Sequence, residues 1–210
     1  FSNDALAQAE GMDGPTVAWI REQAATLGAV VTGSVQIREG EGVYNRLLWA
    51  TPEGGLHSYD KRHLFRMARE HERYAAGRDR ITVDLKGWRV CPLVCYDLRF
   101  PVWSRSRDDY DVLLYVANWP QRRALAWSTL LRARAIENLC YVVGVNRVGK
   151  DGNGATYGGD SVALDFLGQP VSSEGGGDRV ETAVLDLESL QAYRRSFPAQ
   201  LDADRFELLS

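Results

Sequence analysis

Hydrophobic positions first recur at helical spacing at Val17, Ile20, Ala24 and Leu27, behind Asp13-Gly14-Pro15-Thr16. Pro suits a first helical turn, Asp is the expected cap, and Gly28 ends the run. The pattern then shortens to strand length. Residues 29–37 and 43–50 read as strands about the turn-rich Glu39-Gly40-Glu41-Gly42, and Pro52-Glu53-Gly54-Gly55 leads into a short strand, 56–60, that delivers Lys61. Residues 80–85 and 88–94 read as a hairpin about Lys86-Gly87. An apolar strand at 112–117 runs into Asn118-Trp119-Pro120 and is followed by a long helix, 123–139, carrying Leu130, Leu131, Ile136 and Leu139. A strand at 140–145 enters a glycine-rich loop at 149–159; strands at 161–166 and 180–185 and a terminal helix at 187–197 complete the pattern.

Strand pairs alternate with helices, without a linker or a repeat of fixed period, so the expectation is one α/β domain over residues 1–210. Helices on one face of a mixed sheet leave its other apolar face to pack on a second sheet. The expected architecture is therefore a four-layer α-β-β-α sandwich. Nothing in the pattern covers the outer helix face, which makes a homodimer the expected assembly.

Composition narrows the function classes. The chain has 210 residues, 45% of them hydrophobic, and a net charge of −3 with both signs interspersed. No basic block points to nucleic acid, and no apolar run approaches the roughly 18 residues that span a bilayer. Its three cysteines are too few for a disulfide framework, so reduced thiols and a cytoplasmic location are expected.

One stretch carries candidate chemistry. Leu93-Val94-Cys95-Tyr96-Asp97-Leu98-Arg99-Phe100-Pro101 takes an apolar strand into a cysteine and then a charged, aromatic turn. The carboxyl edge of a sheet is where open α/β proteins place their sites. Position alone leaves Cys95 open between a nucleophile facing a cleft and a buried structural thiol. A thiol attacks as thiolate and needs a base or a positive neighbour. His57, His63 and His71 lack metal-site spacing, and His63 and His71 sit among charged residues. Lys61, in Tyr59-Asp60-Lys61-Arg62-His63-Leu64-Phe65, lies between an aromatic strand and an apolar anchor, an unusual setting for a surface cation.

At these residues the chain resembles the carbon–nitrogen hydrolases of the nitrilase superfamily, whose triad is Glu–Lys–Cys. The matching signatures are Asp60-Lys61-x-His63-Leu64-Phe65, Cys95-Tyr96-Asp97-x-Arg99-Phe100-Pro101 and Ala117-Asn118-Trp119-Pro120. The helix Arg132-Ala133-Arg134-Ala135-Ile136-Glu137-Asn138 matches as well, as do Asn146-Arg147-Val148-Gly149 and Gly158-Gly159-Asp160-Ser161. The runs 60–77 and 95–105 are similar to the bacterial omega-amidase branch, which deamidates 2-oxoglutaramate and related 2-oxo acid amides.

The resemblance implies Cys95 as nucleophile, with Lys61 and the backbone N–H of Tyr96 stabilising the oxyanion. It implies Glu70, seven residues before Gly77, as the second glutamate that orients the lysine, in preference to Glu72. Arg99 is implied as the substrate-carboxylate contact, with a structural ion pair to Asp97 or Glu137 as the alternative. Asn118 and Trp119 are implied as pocket residues, although Trp119 also suits a core position; Arg134 and Glu137 read as structural. No metal or organic cofactor is expected, and the expected partner is a small-molecule amide. The resemblance also places the general-base glutamate and its strand upstream of Phe1, because Glu10 precedes the first helix and Glu22 lies within it. Competing readings are a nitrile, N-carbamoyl or other aliphatic amide substrate, a catalytically inactive homologue, and papain-like Cys–His chemistry.

Overall fold

The computed structural model describes residues 5–172 and 176–208, and the chain divides between Ile81 and Thr82 into two units. In the first, a single turn, α1 (Ala5–Gln8), precedes α2 (Pro15–Leu27). Pro15 opens α2 as expected, but Asp13 does not cap it. The Glu10 carboxylate does, accepting the Thr16 and Val17 N–H groups at 3.2 and 3.1 Å. Glu10 can do so because its backbone is pinned beside the next strand, its N–H donating to Gln36 and its carbonyl accepting from Arg38. Gly28 takes φ 60° and closes the helix onto the Ala24 and Ala25 carbonyls.

Strands β1 (Val31–Glu39), β2 (Gly42–Ala50) and β3 (Leu56–Asp60) form an antiparallel sheet in chain order. The α2 residues Val17, Ile20 and Ala24 pack on Ile37, Leu48 and Ala50 from one face of it. Burying side chains of this size contributes about 1.5–3 kcal/mol each. The opposite face carries Val43, Asn45 and Leu47 of β2, because successive side chains alternate.

The second unit holds β4 (Val83–Leu85), β5 (Trp88–Val94), α3 (Pro101–Ser104), β6 (Val112–Ala117), α4 (Ala124–Asn138), β7 (Tyr141–Asn146), β8 (Val148–Lys150), β9 (Thr156–Gly158), β10 (Val162–Leu164) and α5 (Leu187–Ser196). The main sheet runs β10-β7-β6-β5-β4, with β5, β6 and β7 parallel and antiparallel strands at both edges. The β4–β5 hairpin turns at Lys86 and Gly87, at φ 50° and 86°. Helix α4 lies close on β7, since a Cβ at Gly144 would sit 2.6 Å from Leu131 and 2.9 Å from Trp127. Asp111 ties α5 to the sheet, accepting Arg194 Nη1 at 2.7 Å and Arg89 Nη2 at 2.9 Å. Each unit thus pairs a helix layer with a sheet.

Two expectations fail locally. Residues 180–185 form no strand, although valines alternate there; Val180 and Val184 are 100% and 84% exposed. Alternation without a ladder partner does not make a strand. The glycine-rich stretch at 149–159 is not an open loop, because β8 and β9 pair across it in antiparallel register.

Candidate active site

Lys61 follows the last residue of β3 and continues its ladder, donating its N–H to the Asn45 carbonyl at 3.0 Å. One pair earlier, Arg46 grips Asp60 with two bonds, Nε to Oδ1 at 2.7 Å and Nη2 to Oδ2 at 2.9 Å. That fork fixes the β2–β3 register beside Lys61. Asp60, then burial in the opposite sense, then Glu39 set the Arg46 proton affinity, and the net effect is well above the ordinary guanidinium value. On the other side Gly77 donates its N–H to the Lys61 carbonyl at 3.0 Å and accepts Arg62 Nη1 at 3.1 Å. A Cβ at Gly77 would lie 2.0 Å from the Asp60 carbonyl oxygen, so only glycine fits there.

The Lys61 ammonium meets Glu70 Oε2 at 2.6 Å, with their side chains 0% and 3% exposed. The same oxygen accepts the Phe65 N–H at 2.8 Å. Glu70 opens a 3-10 turn, Glu70–Glu72, after Arg69 in left-handed backbone at φ 57°. Glu72 instead pairs with Arg69 at the surface, 2.6 Å away. His71 is exposed, and among the described residues no cluster of three or more His, Cys, Asp or Glu could hold a metal ion.

A third residue on this face was not legible beforehand. Gln36, Asn45 and Lys61 stand in a row across β1, β2 and β3. Gln36 donates to the Tyr74 hydroxyl at 2.7 Å and Lys61 to Glu70, whereas Asn45 has no partner for Nδ2 or Oδ1 among the described residues. Asn45 is 1% exposed. An amide buried in that way costs about 1–3 kcal/mol.

In the second unit the parallel strands β5, β6 and β7 end level, with Val94 paired to Val116 and Ala117 to Asn146. The next residues, Cys95 and Asn118, therefore lie together at the carboxyl edge, and the Cys95 thiol points at the Asn118 carbonyl, 3.9 Å away. Cys95 has left-handed backbone, φ 48°, and begins a 3-10 turn, Cys95–Arg99. A non-glycine residue in that conformation carries strain of about 1–3 kcal/mol and persists only where its surroundings hold it. Here Asp97 Oδ2 accepts the Val94 N–H at 3.1 Å, and Arg134 Nη2 holds the Leu98 carbonyl at 2.7 Å. Arg134 also pairs with Glu137 at 2.9 Å, so α4 braces the turn from behind.

Arg99 is exposed, and its guanidinium sits over the Trp119 ring, 5.2 Å from the centroid. Neither alternative ion pair forms, because Asp97 caps the strand end and Glu137 is engaged by Arg134. Trp119 is buried against Trp127 and donates Nε1–H to the Arg123 carbonyl at 2.9 Å. Asn146 fastens this edge through bonds to Trp119 and Gly159. Arg123 adds a second cation near Cys95: burial, then Arg122 and Arg99, lower its guanidinium below the ordinary value, with Tyr96 and Cys95 opposing. Burial and Asp151 raise the Tyr157 hydroxyl, whose field includes Cys95.

A strained cysteine at a parallel-sheet edge and a buried lysine–glutamate pair meet their counterpart in one family. The carbon–nitrogen hydrolase model matches residues 1–195. The chain belongs to the carbon–nitrogen hydrolase family. Omega-amidase YafV of Yersinia enterocolitica is 52% identical over 209 residues, covering 99% of this chain and 80% of that protein. The 2-oxoglutaramate amidase of Bacillus subtilis is 34% identical over 199 residues, covering 93% and 76%. Among solved structures, XC1258 of Xanthomonas campestris, a CN-hydrolase superfamily protein with an arsenic adduct in the active site, superposes with a TM-score of 0.96. It is 59% identical and covers 99% of this chain and 82% of that one. The fold is accordingly the α/β carbon–nitrogen hydrolase fold, and this carbon–nitrogen hydrolase is a thiol-dependent amidohydrolase that stands with the omega-amidases.

Proposed function

We propose that the protein hydrolyses the terminal amide of small 2-oxo dicarboxylate monoamides, 2-oxoglutaramate among them, to the acid and ammonia. The observation that carries this reading is the sealed Lys61–Glu70 pair at 2.6 Å. A buried lysine fixed in place by a carboxylate is a preorganised donor for a developing oxyanion, and one such donor is worth about 3–4 kcal/mol. Cys95 supplies the nucleophile from the strained turn. The family's general-base glutamate takes the thiol proton as the sulfur bonds to the amide carbon. Lys61 and the Tyr96 N–H receive the negative charge on oxygen. The carbon–nitrogen bond then breaks, and the departing nitrogen takes the proton from the glutamate. Water adds to the thioester, the carbon–sulfur bond breaks, and the acid leaves.

The exposed Arg99 guanidinium, without an ion pair among the described residues, favours a substrate with a carboxylate, which a planar fork binds well. The names of the two curated relatives point the same way. A cytoplasmic homodimer belongs to this reading: Leu125 and Ile136 on α4 are 81% and 52% exposed, and among the described residues no helix is long and apolar enough to cross a membrane.

Ammonia release from 2-oxoglutaramate and from neutral butyramide tests the reading. Wild type should prefer 2-oxoglutaramate, Cys95→Ala should release none from either, and Arg99→Ala should raise KM for the carboxylated amide alone. Turnover by Cys95→Ala would end the thiol mechanism, and equal losses on both amides in Arg99→Ala would end its carboxylate role.

A further inference from the structure

Buried polar side chains in native proteins are almost always paired, so an exception calls for a physical reason. Asn45 is such an exception in a telling place. It lies between two satisfied neighbours, Gln36 on Tyr74 and Lys61 on Glu70, and it shares the Lys61 face of the sheet. Its own carboxamide offers one acceptor oxygen and one donor nitrogen, neither bonded among the described residues. A leucine, with the same branching and number of side-chain heavy atoms, would occupy the position without a stranded amide. Retaining the amide is consistent with a partner that arrives during function.

We propose that Asn45 reads the substrate's primary amide. The Oδ1 acceptor takes an N–H of the substrate NH2 group, while Nδ2–H supports the carbonyl oxygen beside the Lys61 ammonium. This inference rests on Lys61 as the oxyanion donor of the proposed function. The chemistry that fits is a primary carboxamide, which supplies a donor and an acceptor on adjacent atoms. An ester of the same acid lacks the N–H donors and leaves Oδ1 unpaired in either case. Asn45 would therefore discriminate amide from ester, and it would do so in acylation only, because both substrates give the same thioester.

The test compares 2-oxoglutaramate with the corresponding methyl ester in wild type and Asn45→Leu, with thermal unfolding of both proteins. The expected result is a fall of about tenfold or more in kcat/KM for the amide, with a several-fold smaller loss on the ester, which keeps only the Nδ2–H contact, and the unfolding midpoint unchanged or raised. Equal losses on amide and ester overturn the proposal and make Asn45 a support of the lysine. Full amide activity in Asn45→Leu overturns it as well. Should Asn45→Leu fail to fold, Asn45→Ala is read by the same amide-to-ester ratio. Lys61→Met in parallel separates the two claims: if it keeps turnover on both substrates, the proposed function itself has failed, whatever Asn45 does.

Discussion

Gly77→Ala perturbs the site without touching any reacting group. The added Cβ would lie 2.0 Å from the Asp60 carbonyl oxygen, 2.7 Å from its carbon and 2.8 Å from the Asp60 Cβ. Comfortable contact begins near about 3.5 Å, so the two segments must part by more than ~1 Å. Neither neighbour is a flexible side-chain tip, and Asp60 is itself locked by the Arg46 fork. Overpacking of this kind costs about 1–3 kcal/mol. The Gly77–Lys61 and Arg62–Gly77 hydrogen bonds weaken with it, at about 1 kcal/mol each. A loss of about 3–5 kcal/mol lowers the unfolding midpoint by roughly 6–20 °C in a chain of this size. Because the parted residue adjoins Lys61, a shift of an ångström there should also cost about 100-fold in kcat. Thermal unfolding by circular dichroism and ammonia release at a temperature where the variant is folded measure the two effects. An unchanged midpoint would refute the close approach; a lowered midpoint with kcat intact would refute the coupling to Lys61.

Other consequences are open to direct measurement. Lys61→Met or Glu70→Leu alone strands a buried charge and should cost about 3–5 kcal/mol in urea unfolding, while the double variant recovers most of it. Iodoacetamide should label Cys95 in the native protein, and Cys91 and Cys140, both 0% exposed, only after unfolding, as peptide mass spectrometry would show; burial also raises the Cys140 thiol far above its ordinary value. For Asp111, burial acts upward, but bonds from Arg89 and Arg194 outweigh it and hold the carboxyl below its ordinary 3.8. A depressed carboxyl stabilises the fold above its unfolded value and loses that contribution as pH falls toward the folded value. Wild type should therefore lose stability below about pH 4, and Asp111→Asn should be weaker at pH 7 with a flatter acid limb.

What could be read beforehand followed from local physics. Val17, Ile20 and Ala24 repeat at helical spacing because one face of α2 meets the sheet, and Pro15 and Gly28 bound that helix by backbone preference. Cys95 stood out because an apolar strand ended on polar residues, and Lys61 because it lay between an aromatic strand and an apolar anchor, an unusual setting for a surface cation. The failures share a cause in partners distant along the chain. Asp13 has the composition of a cap, but the β1 backbone positions Glu10 over the helix start instead. Valines at 180 and 184 share one side as in a strand, yet no described residue pairs with them in a ladder. Asn45 sits in the run Val43-Tyr44-Asn45-Arg46-Leu47, where two polar neighbours hide which one points inward. Only the register against Gln36 and Lys61 answers that.

The two chemical groups are held by opposite means, and they should fail differently. Lys61 depends on its surroundings for charge balance: Glu70, the Phe65 amide, Gly77 and the Arg46 fork all confine it as a buried side chain. Damage there removes a buried partner, so stability and activity fall together. Cys95 depends on strain, with φ 48° maintained by Asp97 and Arg134 at a sheet edge. Glycine adopts that conformation without steric cost. Cys95→Gly should therefore remove the nucleophile while relieving the turn, abolishing ammonia release and leaving the unfolding midpoint equal to or above that of wild type. Added chain entropy in the unfolded state takes back about 0.5–1 kcal/mol of the roughly 1–3 kcal/mol of strain relieved, which reduces the gain without reversing it. A midpoint several degrees below wild type would mean that Cys95 is packing the edge rather than being strained across it.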